Sequence, residues 1–284
     1  MYHRTSSLIC LLLAIVIFLS GCTVKFYYNQ LDWLVPWHVD DYVELTAEQE
    51  VIFDNHLDEY LKWHRTEQLP VYADFLSWAA SASSNGFDES ELQRIQTKVN
   101  EFTATMFTRL APVLVDLFPS FSEEQVNELF DNFDENNLEY KEENIDISEV
   151  KHREDRAKEL TRFIERWTGE LDEPQLLYIE EWSQQYTLMS ADFLASRKQW
   201  QKELKRILQR RDDRNYLQEA LLDLFARRYS MRSAQYQEKY QQNEQLLKSL
   251  YASLDRSLTS HQRENMITKF MDIADDFRYL SKKS

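Results

Sequence analysis

Glycine is nearly missing from this chain: three in 284 residues, at positions 21, 86 and 169, beside five prolines. Tight hairpin turns and phosphate-cradling loops need the positive φ and close backbone approach that glycine supplies, so sheet folds and nucleotide loops are set aside. Cysteine is scarcer, with Cys10 and Cys22 alone. Basic residues are outnumbered, 33 against 49 acids, for a formal net charge of −16. Nucleic-acid binding, which needs a basic footprint, is therefore not expected. Charge alone would not lay such a chain on an anionic lipid surface either. Long apolar runs are absent: the stretch from Leu8 to Leu19 falls well short of the roughly 20 residues that cross a bilayer.

That short apolar stretch follows Arg4 and ends in Leu19-Ser20-Gly21-Cys22, which reads as a signal peptide over residues 1–21. The ending resembles a bacterial lipobox, in which the cysteine is acylated and becomes the mature N-terminus. Acyl chains on Cys22 would anchor the protein at about 0.8 kcal/mol per buried methylene, without a spanning helix. Thr23, not Asp, follows the cysteine. By resemblance to lipoprotein sorting in Gram-negative bacteria, this implies the outer membrane, with the body facing the periplasm. Cys10 then leaves with the leader and Cys22 carries lipid, so no thiol remains for a disulfide, a zinc site or a nucleophile. The mature body must be held by its core.

Glu, Gln, Leu, Lys and Arg dominate what remains, all good helix formers. Four near-copies of one phrase punctuate it: LTAEQ from Leu45, FSEEQ from Phe121, LDEPQ from Leu171 and LTSHQ from Leu258; FDESEL from Phe87 is a variant with Glu. Each places an apolar residue before Thr, Ser or Asp, with Gln or Glu three positions on, which is a capping box. Helix starts are predicted near residues 46, 88, 122, 172 and 259. Phe121 is expected to staple onto Val126, and Leu171 onto Leu176.

The expected fold is all-α, an elongated antiparallel bundle of about seven or eight helices. Phe53, Leu57, Tyr60, Leu61 and His64 line one face, with a break at Leu69-Pro70. Leu92 to Leu110 steps by three and four until Pro112 and Pro119 bend and end that helix. Ile179, Trp182, Tyr186, Met189 and Phe193 form one seam, extended by Trp200, Leu204 and Ile207. Long helices are predicted over residues 215–254 and 259–280. The organisation is a lipidated arm over residues 22–45, one lobe over 46–168 and a second over 169–284, or a single continuous domain.

Charge is uneven. Eleven acids lie between Glu123 and Glu149, and eleven basic residues between Arg197 and Arg232. These are solvated faces, helices that pair with each other, or a polar groove for a charged partner. Glu149 and His152 make half of a di-iron pattern whose other half is absent. His56 and His64, with Glu59 and Glu67, have a spacing that a metal could use but that a polar helix shows by accident. Hydrolase and metalloprotease motifs are absent. No catalytic, cofactor-binding or metal-binding residue is assigned. The most unusual stretch, Tyr27 to Leu45, packs Trp33, Trp37, Tyr42 and the pair Asp40-Asp41 around Pro36. It is either an aromatic strap for a partner or the membrane interface, or an irregular arm wedged into the bundle. Asp40, Asp41 and His38 could also hold a cation.

NQLDWLVPWHVDDYVEL, Trp63-His64 with LPVY from Leu69, ERWTGELDEPQ and EEW together resemble a family of uncharacterised lipoproteins of Gram-negative bacteria. The likeness covers nearly the whole mature chain; it implies address and architecture but no activity. The L-T-x-x-Q phrase alone is similar to one in Spy-type periplasmic chaperones, from which this larger, acidic, lipid-tethered chain departs. The expectation is a non-enzymatic binding, assembly or chaperone-like module that meets other envelope proteins. The alternatives are a hydrolase acting on cell-wall or lipid substrates through carboxylates, and a structural spacer.

Overall fold

The computed structural model describes residues 21–227 and 229–283, with side chains from residue 24 onward. The expected leader, Gly21 apart, lies outside the described residues, and so does the Cys22 side chain. Within them the helices are α1 (Gly21–Tyr28), α2 (Leu31–Asp40), α3 (Ala47–Trp63), α4 (Leu69–Ser83), α5 (Glu89–Leu117) and α6 (Glu123–Asn144). There follow α7 (Glu149–Thr168), α8 (Glu173–Gln185), α9 (Ser190–Leu208), α10 (Arg214–Ala226), α11 (Ala234–Ser257) and α12 (Ser260–Ser281). No strand occurs among the described residues, and no helix is long and apolar enough to cross a membrane. The fold is all-α and bundle-like. Its helices outnumber the seven or eight expected because the arm is itself helical and two long runs are each divided.

All five predicted starts carry complete capping boxes, on Thr46, Asp88, Ser122, Asp172 and Thr259. Phe121 and Val126 are buried in one cluster, as the staple requires, whereas Leu171 is buried and Leu176 stays exposed. Pro112 sits inside α5, and that helix ends at Leu117, just before Pro119, as expected. Pro70 acts more gently than expected and does not break the chain's helical path: a π-turn over His64–Gln68 joins α3 to α4. The Leu69 N–H reaches back five residues to the His64 carbonyl, and this wider turn takes up the misfit before Pro70.

The glutamines of the phrases also meet in pairs. Gln49 and Gln125 exchange amide hydrogen bonds at 2.9 and 2.6 Å, and each amide also donates to a backbone carbonyl, of Ser120 and Glu44 respectively. Gln175 and Gln262 do the same at 2.9 and 2.8 Å, with donations to the Ser257 and Glu170 carbonyls. Two pairs of helix starts, α3 with α6 and α8 with α12, are thus stitched by reciprocal amides. Gln175 is fully buried; its neutral amide is paired, which is what burial demands.

Three apolar clusters hold the helices. The first joins the end of α5 to α6, α9 and α10 through residues such as Leu117, Phe130, Leu208 and Leu221. The acid-rich α6 and base-rich α9 are partners here; Arg211, just past α9, bonds Glu123 at 2.6 Å, and Asn137 bonds Gln201 at 2.7 Å. In the second, α12 lies against α4 and against α1, burying Leu69, Ala73, Phe277 and Leu280. The third joins α7, α8 and α11 through Ile164, Ile179, Trp182 and Leu254. Residues from both sides of Gly169 meet in the first two clusters.

Candidate apolar cleft and its surroundings

Alternating steps of three and four place Leu160, Phe163, Ile164 and Trp167 on one stripe of α7, a helix otherwise crowded with charge. A second stripe, Tyr240, Asn243, Leu247, Tyr251 and Leu254, runs along α11. These stripes do not close on each other. With Leu92 and Ile95 of α5, Trp182 of α8 and Met266 and Phe270 of α12, they line a cleft of about 780 Å³. That volume lies in the range of ligand-binding pockets. Trp167 meets Phe270 at 5.0 Å between ring centroids.

The break after α8 shapes one end. Ile179, Trp182 and Tyr186 are buried as the predicted seam requires, but the helix stops at Gln185. Arg153 of α7 donates to the Tyr186 carbonyl at 3.0 Å, and Asn243 of α11 exchanges two hydrogen bonds with the Thr187 backbone at 2.9 and 2.8 Å. The opened backbone is satisfied by side chains 33 and 56 residues away, so the seam ends there. Gly169, at φ 85°, ends α7 with its N–H on the Glu165 carbonyl.

Polar groups are few and sit among the apolar walls. Gln96 Oε1, Arg156 Nε and Trp182 Nε1 are buried without a hydrogen-bond partner among the described residues, and all three side chains line the cleft. The Arg156 guanidinium lies 3.9 Å from the Tyr186 ring centroid. Lys248 bonds Glu244 at 2.8 Å, holding that carboxyl below its usual range. Asp255 pairs with Arg263 at 3.0 Å and accepts the Phe87 N–H. Burial pushes the Tyr251 phenol up to about 12.

The residues singled out in the sequence lie elsewhere. Trp33 and Trp37 are exposed on α2, stacked 6.4 Å apart, and Asp40 is exposed beside them. Tyr42 packs on the first cluster against Phe133 at 5.5 Å, and Asp41 bonds His38 at 3.3 Å. The stretch is helical rather than irregular, and it divides: Leu31 and Val35 face the core while the tryptophans face out. His56 and His64 do not share a site. His56 pairs with Asp116 at 2.8 Å, whereas His64 is buried and shares a hydrogen bond with Tyr28 at 2.8 Å. Burial, with Arg65 alongside, lowers its pKa to about 4. Glu149 serves Arg153, and His152 bonds Ser190 at 2.9 Å. Among the described residues no group of three His, Cys, Asp or Glu side chains could hold a metal.

The molecule is therefore an all-α helical protein with one large apolar cleft described beside its third cluster. A family model matches residues 41–237, more than half of the chain, and the chain belongs to that family, DUF6279, a family of unknown function. No curated protein and no solved structure matches the chain.

Proposed function

We propose that the chain is a lipid-anchored envelope protein, tethered through acylated Cys22 to the outer membrane, whose cleft binds an apolar-faced helical segment of another envelope protein. The cleft carries this reading. Its walls are aromatic and aliphatic, as a groove for an amphipathic helix is. The cleft is also edged by charge of both signs, Arg156, Glu159, Glu244 and Lys248, which suits the polar flank of such a helix. Assembly or chaperone-like work follows from transient occupation of such a groove.

Hydrolysis through carboxylates has less support. A general acid needs a carboxyl pushed up, and Lys248 moves Glu244 the other way. Asp255 is committed to Arg263 and to the Phe87 backbone.

The test is photo-crosslinking in living cells from Leu247, inside the cleft, with Leu138, exposed on α6, as control. Discrete envelope proteins captured from position 247 alone, and lost when Leu160→Trp fills the groove, are the expected result. Capture of lipid only, or the same pattern from both positions, would overturn the reading.

A further inference from the structure

The first helix leaves no slack between the expected anchor and the body. Lys25, three residues after Cys22, bonds the buried Asp276 of α12 at 2.6 Å. Tyr28 is buried and bonds His64 at 2.8 Å. At about 1.5 Å of rise per residue, the Cys22 backbone stands roughly 5 Å along the helix from that of Lys25. Acyl chains on Cys22 would therefore draw this end of the body onto the bilayer.

That end carries two kinds of group that suit a bilayer surface. The outward faces of α1 and α2 carry Phe26, Trp33 and Trp37, exposed by 61%, 64% and 51%, while Val24, Tyr28, Leu31 and Val35 on the opposite faces are buried. Asp32 and Asp40 are also exposed on α2, which suits rings seated at headgroup level rather than in hydrocarbon. In a chain of net charge −16, basic side chains gather here. Lys25 and Lys283 lie 5.4 and 4.7 Å from the Tyr279 ring centroid, and Arg65 bonds Asn29 and stacks on Tyr28. Arg65, Lys282 and Lys283 have no carboxylate partner among the described residues.

We infer that this end is a membrane-seating surface for anionic phospholipid, with Phe26, Trp33 and Trp37 entering the headgroup layer and Arg65, Lys282 and Lys283 meeting lipid phosphates. The whole-chain charge opposes flat adsorption, but a local basic rim acts within a Debye length, and the rest of the acidic surface is held away. The bilayer then fixes the orientation of the body instead of merely holding it. This rests on the acylated Cys22 reading.

The experiment uses the full chain, processed in cells and reconstituted into vesicles of phosphatidylethanolamine with phosphatidylglycerol. Nitroxide labels are placed singly through Trp33→Cys, Trp37→Cys and, as control, Val150→Cys on exposed α7. Labels at 33 and 37 should collide preferentially with oxygen, and the label at 150 with a water-soluble nickel chelate. Lys282→Glu with Lys283→Glu should move the label at 33 toward the nickel reagent. Phosphatidylcholine vesicles should do so as well. Mass spectrometry of the mature N-terminus reads acylation separately. With Cys22 acylated, a label at 33 as open to nickel as the one at 150 overturns the seating alone, and so does seating that ignores both the lysines and the lipid charge. An unacylated Cys22 overturns the anchor and this inference with it.

Discussion

His64 shows how a residue's setting overrides its sequence spacing. Eight positions from His56, its spacing suited a metal but was one that a polar helix shows by accident; in the fold it is buried and shares a hydrogen bond with Tyr28, at the π-turn that joins α3 to α4. Its pKa near 4 lies below the ordinary 6.5, so between those values the unfolded chain binds a proton that the folded one does not. Stability from this group is full above about pH 6.5 and is lost as pH falls toward 4, by about 3 kcal/mol at most. Urea unfolding of the wild type and of His64→Gln across pH 7 to 4 checks this: the wild type should show the steeper loss on acidification. Parallel slopes would mean that His64 titrates normally in the fold. Asn243 makes the same point from the other side. Nothing in YQQNEQLL marks it, because its role is set by the Thr187 backbone 56 residues earlier.

At the scale of elements, the chain announces where helices begin far better than where they end. A start is written within four residues, since cap and N3 partner satisfy each other locally, and all five predicted starts are present. Ends were set at a distance. The long seam through Phe193 stops at Gln185 because Arg153 and Asn243 satisfy the freed backbone, and α10 and α11 are separate helices where one was expected. The phrases, read as local grammar, also turned out to pair in space, which spacing along the chain cannot show. The Gln49–Gln125 contact should therefore be energetically coupled. Gln125→Ala is expected to cost about 2 kcal/mol by stranding the buried Gln49 amide, Gln49→Ala about 1 kcal/mol because Gln125 is half-buried, and the double variant about 1 kcal/mol less than their sum. Chemical denaturation of the four proteins measures it; strict additivity would mean that the two amides act only on their own helices.

For the whole molecule, helical class was legible from glycine scarcity and periodicity, while the cleft was not. Its two stripes on α7 and α11 look like core stripes, and only their failure to meet makes a groove. The exposed tryptophans were visible in the sequence; that Lys25 and Lys283 flank one ring, Tyr279, was not, because more than 250 residues separate the two lysines. The last turns of α12 matter to the whole. Phe277→Ala, at the centre of the second cluster, is expected to cost about 4 kcal/mol, seen as a lower urea midpoint. An unchanged midpoint would mean that the end of α12 is not part of the cooperative core.

The same packing imposes an order in time. Lys25 and Asp276, 251 positions apart, belong to one junction, and Leu280 is wholly buried in the cluster that the first helices form with α4. The second cluster cannot close until the final turn of α12 has been released, however early the capped helices form. Until that moment α1, α2 and α4 hold their apolar faces open, so the nascent chain is most vulnerable to wrong contacts at helices made long before their partner.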